Sequence, residues 1–163
     1  MKNTDVLTQF MPMEVAFAAD SSILVSANYS TGLSIRHGLA WLVHAVHFSM
    51  GVVAATLADG AVVMVISTKK GLAVRPEIAD AGVVALRRIT LGSEPGIHDG
   101  FYHEAFMPPV PLVAGNLTLY AKADTDLAAL AGQSVYARIA YTTMELEAKD
   151  YVEVAEVWAQ AEG

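Results

Sequence analysis

The strongest constraint in this chain is a period of two. Between residues 13 and 143, apolar and polar residues alternate in short runs broken by Gly, Pro and Asp. Leu117-Thr118-Leu119-Tyr120-Ala121-Lys122 and Val135-Tyr136-Ala137-Arg138-Ile139-Ala140-Tyr141-Thr142 are the clearest examples. Successive side chains of an extended chain point to opposite faces. The first run therefore sets Leu117, Leu119 and Ala121 on one face, and the second sets Val135, Ala137, Ile139 and Tyr141 on one face.

The same pattern predicts strands over Glu14–Ala18, Ser22–Tyr29, Ala40–Phe48, Val52–Leu57, Ala61–Ser67, Val83–Leu91, Phe101–Met107, Leu117–Lys122 and Ser134–Thr143. Turn chemistry separates them, at Thr31-Gly32, Asp59-Gly60, Lys70-Gly71, Glu94-Pro95-Gly96, Asp99-Gly100 and Gly115-Asn116. Pro108-Pro109-Val110-Pro111 lacks three ladder donors and reads as a stiff crossing between strands. No βαβ rhythm, repeat or linker interrupts the series, so one antiparallel sandwich or barrel is expected over residues 1–163. Residues 1–12 form an N-terminal arm in this reading.

The period changes near the end. Asp150-Tyr151-Val152-Glu153 has capping-box spacing, and Tyr151, Val154, Ala155 and Trp158 share a helical face. A short C-terminal helix over 150–161 is expected, although Val152 and Val154 also alternate and leave a strand open.

One stretch has membrane-span length. Leu39 to Ala58 holds twenty residues without a formal charge. His44 and His47 lie inside it, Gly51 interrupts it, and Asp59-Gly60 follows as a hairpin turn joining Gly51–Ala58 to Ala61–Ser67. The hairpin is the better reading, so no transmembrane segment is expected. Met1 to Asp5 carries one Lys and no apolar core of signal-peptide type, so none is expected there either.

Charge narrows the partners. The net charge of −7 and the isolated basic pairs Lys69-Lys70 and Arg87-Arg88 argue against a direct grip on nucleic acid. From Met144 onward there are six acids against Lys149 alone, which reads as a solvated face or as a docking strip, with ion bridging left open. Without cysteine, disulfides and thiolate sites are excluded. The apolar share of 54% against 17% charged residues leaves more greasy surface than one small domain ordinarily covers, a sign of association.

Catalytic patterns find little support. His44 and His47, three apart, fall on opposite faces of a regular strand and cannot chelate one ion there. They lack the i, i+2 pairing with a following Glu that a jelly-roll metalloenzyme of cupin type would want. His98, Asp99, His103 and Glu104 form the densest polar cluster; a metal is conceivable across an Asp99-Gly100 turn, but an ordinary polar loop fits better. No serine lies in a G-x-S-x-G elbow, and Gly92-Ser93-Glu94-Pro95-Gly96 lacks the Lys of a phosphate loop. No catalytic residue and no cofactor is assigned. Trp41, Tyr102, Phe106, Tyr151 and Trp158 are the candidate subunit-interface anchors.

Three segments carry a family resemblance: Thr31-Gly32-Leu33-Ser34-Ile35 leading into Gly38-Leu39-Ala40-Trp41-Leu42-Val43-His44; Phe106-Met107-Pro108-Pro109; and Val135 through Thr143. With the strands so placed, the region from Ser30 to Trp158 resembles the single jelly-roll coat proteins of icosahedral viruses, including small capsid proteins of tailless bacterial and archaeal viruses. The resemblance implies an all-β antiparallel sandwich of jelly-roll type with a short C-terminal helix, a structural rather than enzymatic role, and self-assembly with copies of itself or other shell proteins. It also implies a virion location after assembly in the host cytoplasm. Residues 1 to 20 depart from the basic arm common in genome-contacting coat proteins, since they hold one Lys and three acids. An inner contact with a membrane or a second protein layer is expected instead. An oligomeric binding or decoration module, such as an adhesin or phage accessory protein, is the alternative.

Overall fold

The computed structural model describes residues 2–3, 7–34, 38–50, 52–53, 60–91, 98–99 and 102–159, with backbone alone at residues 2–3, 52–53, 98–99, 102 and 159. Its strands are β1 (Lys2–Asn3), β2 (Gln9–Ala16), β3 (Val25–Ser30), β4 (Leu39–Ser49), β5 (Val52–Val53), β6 (Gly60–Ser67), β7 (Val83–Leu91), β8 (His98–Asp99), β9 (Tyr102–Leu112), β10 (Asn116–Ala123) and β11 (Ser134–Glu145), followed by the helix α1 (Ala148–Ala159).

Two antiparallel sheets face each other. The first runs β2-β11-β4-β9, with β1 paired farther along the same side of β11 as β2; the second runs β3-β10-β6-β7. The first long strand thus lies beside the last, and the second beside the second-last. The chain folds as if doubled back and rolled up, which is the strand order of a jelly roll. The two-residue strands β5 and β8 pair apart from both sheets.

The alternation read from the sequence builds the core. Val135, Ala137 and Ile139 of β11 and Leu117, Leu119 and Ala121 of β10 are buried between the sheets with Trp41, Val43, Val46, Phe48, Val62, Met64 and Ile66. Tyr141 packs on the same cluster and stacks on Trp41, with ring centroids 3.8 Å apart. Strand β6 is apolar without alternation because both its faces are covered. Val62, Met64 and Ile66 point to the core, while Val63 and Val65 join Tyr120, Leu24, Leu72, Val83 and Leu86 on the outside.

Several expectations need correction. Pro108, Pro109 and Pro111 do not cross between sheets but lie within β9. That strand pairs only with β4, and residues 106–109 fall where this ladder is interrupted, so Pro108 and Pro109 cost no ladder bond. Its ladder to β4 shifts between Val43 and Ala45, opposite Phe106 to Pro109, where the Met107-Pro108 peptide is cis. Among the described residues Val52 and Val53 pair with Asp99 and His98, and β6 pairs with β7 and β10 and not with β5; residues 54–59, including the Asp59 of the expected turn, lie outside the described residues. The charge-free stretch is strand over Leu39–Ser49, and among the described residues no helix is long and apolar enough to cross a membrane.

Residues 9–12, assigned to the arm, are ladder residues of β2. The helix begins at Ala148 rather than Asp150, with Tyr151 N–H bonded to Glu147 O at 2.9 Å. Asp150 therefore sits in the first turn, where its charge suits the helix dipole, instead of capping it.

Candidate functional site

Each sheet has an outer face, and the chain treats the two differently. On the second sheet, Tyr120 is fully buried, and its hydroxyl donates to Lys69 O at 3.0 Å and accepts from Leu72 N–H at 3.2 Å. This phenol fastens the long β6–β7 connection across that face.

On the first sheet, α1 covers one end. Its Tyr151, Val154, Ala155 and Trp158 pack on Ala40, Leu42, Val113 and Met144. Two aromatic donors then close the rim beside β9: Trp158 Nε1–H donates to Pro111 O at 2.9 Å, and the Tyr151 hydroxyl to Val113 O at 3.4 Å. The opposite edge, β2, is closed at one point by Tyr29, whose hydroxyl accepts from Glu14 N–H at 2.8 Å and donates to Glu14 O at 2.7 Å. With Pro12 lacking a donor nearby, this edge is a poor template for adding a strand.

The rest of this outer face stays open. Register places Pro12, Arg138, His47 and His103 in one row across four strands. The flanking rows bring Phe10 beside Ala140 and Glu14 beside Tyr136. Directly opposed residues share a face, so Phe10, Arg138 and Tyr136 form a stripe along the β2–β11 pair. Phe10 is 50% exposed and Tyr136 45%. The Arg138 guanidinium carbon lies 4.5 Å from the Phe10 ring centroid, a cation–π contact that holds its charge over β2.

At the other end of the row, His47 Nδ1 and His103 Nδ1 are 3.2 Å apart, with ring centroids at 4.4 Å. One imidazole must donate and the other accept, so at least one is neutral. Burial lowers the His47 pKa below its usual value, and the neighbouring His103 and Arg138 push it further in the same direction. His44 is on this face too. Its extra place in the β4 ladder is a bulge, because Ala140 pairs with Ala45 and Tyr141 with Val43. The bulge restarts the alternation, so His44 and His47 share a side, contrary to the expectation for a regular strand. They remain apart in chemistry: His44 Nε2 pairs with Thr142 Oγ1 at 2.9 Å, and His47 with His103.

The predicted polar cluster is not brought together as expected. His103 and Glu104 are adjacent on β9 and face opposite ways; His98 and Asp99 lie on β8, with side chains outside the described residues. Among the described residues no three His, Asp or Glu side chains converge on one point.

The predicted interface anchors are largely used inside the subunit. Trp41 and Tyr151 are each 5% exposed, Phe106 is half-buried against the core, and Trp158 bridges core and helix. The side chain of Tyr102 lies outside the described residues. Burial within one subunit removes Trp41 and Tyr151 as anchors for another. The exposed stripe is present in the sequence as the polar phase of β11, Tyr136 and Arg138. Phe10 falls in the segment that the sequence pattern gives to the arm, whereas it is a ladder residue of β2.

No protein family matches the chain by sequence, and no curated protein does. Solved structures match in shape. A chain of tomato aspermy virus overlaps at TM-score 0.45 and 10% identity, over 86% of this chain and 80% of that one. A chain of desmodium yellow mottle tymovirus overlaps at TM-score 0.41 and 12% identity, over 86% and 87%. Latent PorU from Porphyromonas gingivalis gives TM-score 0.38 and 10% identity over 88% of this chain, which spans 14% of that much longer protein. The chain's own strand order is what makes it a jelly roll.

Proposed function

We propose that this chain is a structural, self-assembling subunit of coat type, one domain over residues 1–163 that acts in a virion by contact with copies of itself or with other shell proteins. The observation that carries this reading is the open stripe of Phe10, Arg138 and Tyr136 on a jelly-roll outer face. Aromatic and arginine side chains are the types that dominate binding energy at protein interfaces. Further large apolar side chains stand exposed around the subunit, including Leu7, Val74, Ile78 and Met107. On the first sheet, Pro12 and the Tyr29 bonds at β2 and the prolines of β9 disfavour strand addition and direct association toward side-chain packing. The acidic balance of −7 favours protein or membrane neighbours over direct neutralisation of a genome.

Size-exclusion chromatography with electron microscopy of the purified chain tests this. Shells or lattices are expected, and Phe10→Asp, which sets an unpaired carboxylate in the stripe, should dissolve them without unfolding the subunit. Small discrete oligomers would favour a decoration or adhesin-like module. A monomer at high concentration would overturn the proposal.

A further inference from the structure

We infer that His47 and His103 form a two-histidine binding site for a divalent transition metal of the zinc, nickel or copper class on the outer face of the first sheet. Their Nδ1 atoms stand 3.2 Å apart on directly opposed residues of β4 and β9. Two nitrogens bound to one tetrahedral zinc at ~2.0–2.1 Å are separated by about 3.3–3.4 Å. The pair therefore already holds close to the spacing an ion would impose, and binding requires both rings to turn so that their lone pairs meet the ion instead of each other.

Imidazole binds metal only when neutral. Arg138 opposes the incoming cation, but its guanidinium is anchored over Phe10, across β11 from the pair. Water would fill the remaining coordination positions beside the exposed His103. This site is independent of the assembly proposal, since it needs one subunit.

Titration calorimetry with zinc chloride at about pH 7.5, where free imidazole is mostly neutral, tests it, with Cu²⁺ electron paramagnetic resonance on the same protein. One ion per chain and a two-nitrogen copper spectrum are expected. His103→Ala, an exposed position, should weaken binding by roughly tenfold or more, a change of about 1.4 kcal/mol. Arg138→Gln should tighten it, because the opposing charge is gone. His44→Ala should leave it unchanged. No binding, or equal binding by wild type and His103→Ala, would overturn the site and leave the pair as a hydrogen bond alone. So would loss on His44→Ala.

Discussion

The two outer faces of the sandwich begin from similar strands and end differently. On the second sheet, Val63, Val65 and Tyr120 point away from the core and are nonetheless buried, because the β6–β7 connection folds back over them with Leu72. On the first sheet, α1 covers Ala40, Leu42 and Met144 and then stops, leaving Phe10, Arg138, Tyr136 and His103 exposed, with His47 half-buried beside them. The covered face is a second core. The open one is the only one of the two still offering a row of aromatic and basic side chains to a neighbour among the described residues.

The largest test of this contrast is Tyr120→Ala. It removes a fully buried ring that also holds Leu72 and Lys69, and should cost about 3–5 kcal/mol in urea unfolding. A loss no larger than that of a surface substitution would mean the β6–β7 connection does not seal this face.

Trp158→Ala should cost less, about 2–3 kcal/mol, because the ring is half-buried, and should raise dye binding as Leu42 and Met144 become accessible. Unchanged dye binding would show that α1 is not the cover on this side.

The smallest effect belongs to the open row and depends on pH. His47, faced by His103 from β9 and Arg138 from β11, has a pKa below 6.5 in the folded chain. Above that value both folded and unfolded chains are neutral at this residue, and its contribution to stability is fully present. As pH falls below 6.5 the unfolded chain takes up the proton first, so stability declines, levelling off below the folded pKa. The urea midpoint should therefore drop between about pH 7.5 and pH 5 by less in His47→Gln than in wild type. An equal drop in both would assign the effect elsewhere.

Much of this fold was legible because strand residues report which side they face. Val83–Leu91 matches β7 residue for residue, and the inward sets of β10 and β11 are core residues. The misreadings share one cause: each depended on a neighbour distant in sequence. Pro108, Pro109 and Pro111 read as a crossing because the ladder interruption that accommodates Pro108 and Pro109 is set by the pairing of β9 with β4. Asp59-Gly60 read as a hairpin because local turn chemistry says nothing about which strand lies alongside. His44 and His47 were assigned to opposite faces because a bulge is a property of a pair of strands. Of the candidate site, His103 was singled out, but with His98 and Glu104 as companions. Its actual partner, His47, is separated from it by 56 positions.

By itself, the order of residues determined that this chain makes a cysteine-free β sandwich ending in a short amphipathic helix, since periodicity and composition act over a few neighbouring residues. The jelly-roll strand order bears out what the resemblance implied, while tertiary structure alone decided that Trp41 and Tyr151 turn inward and that Phe10, Arg138 and Tyr136 stay outward beside a histidine pair. Which face is covered depends on where a long connection or a terminal helix comes to rest, and that is fixed by packing between segments far apart along the chain.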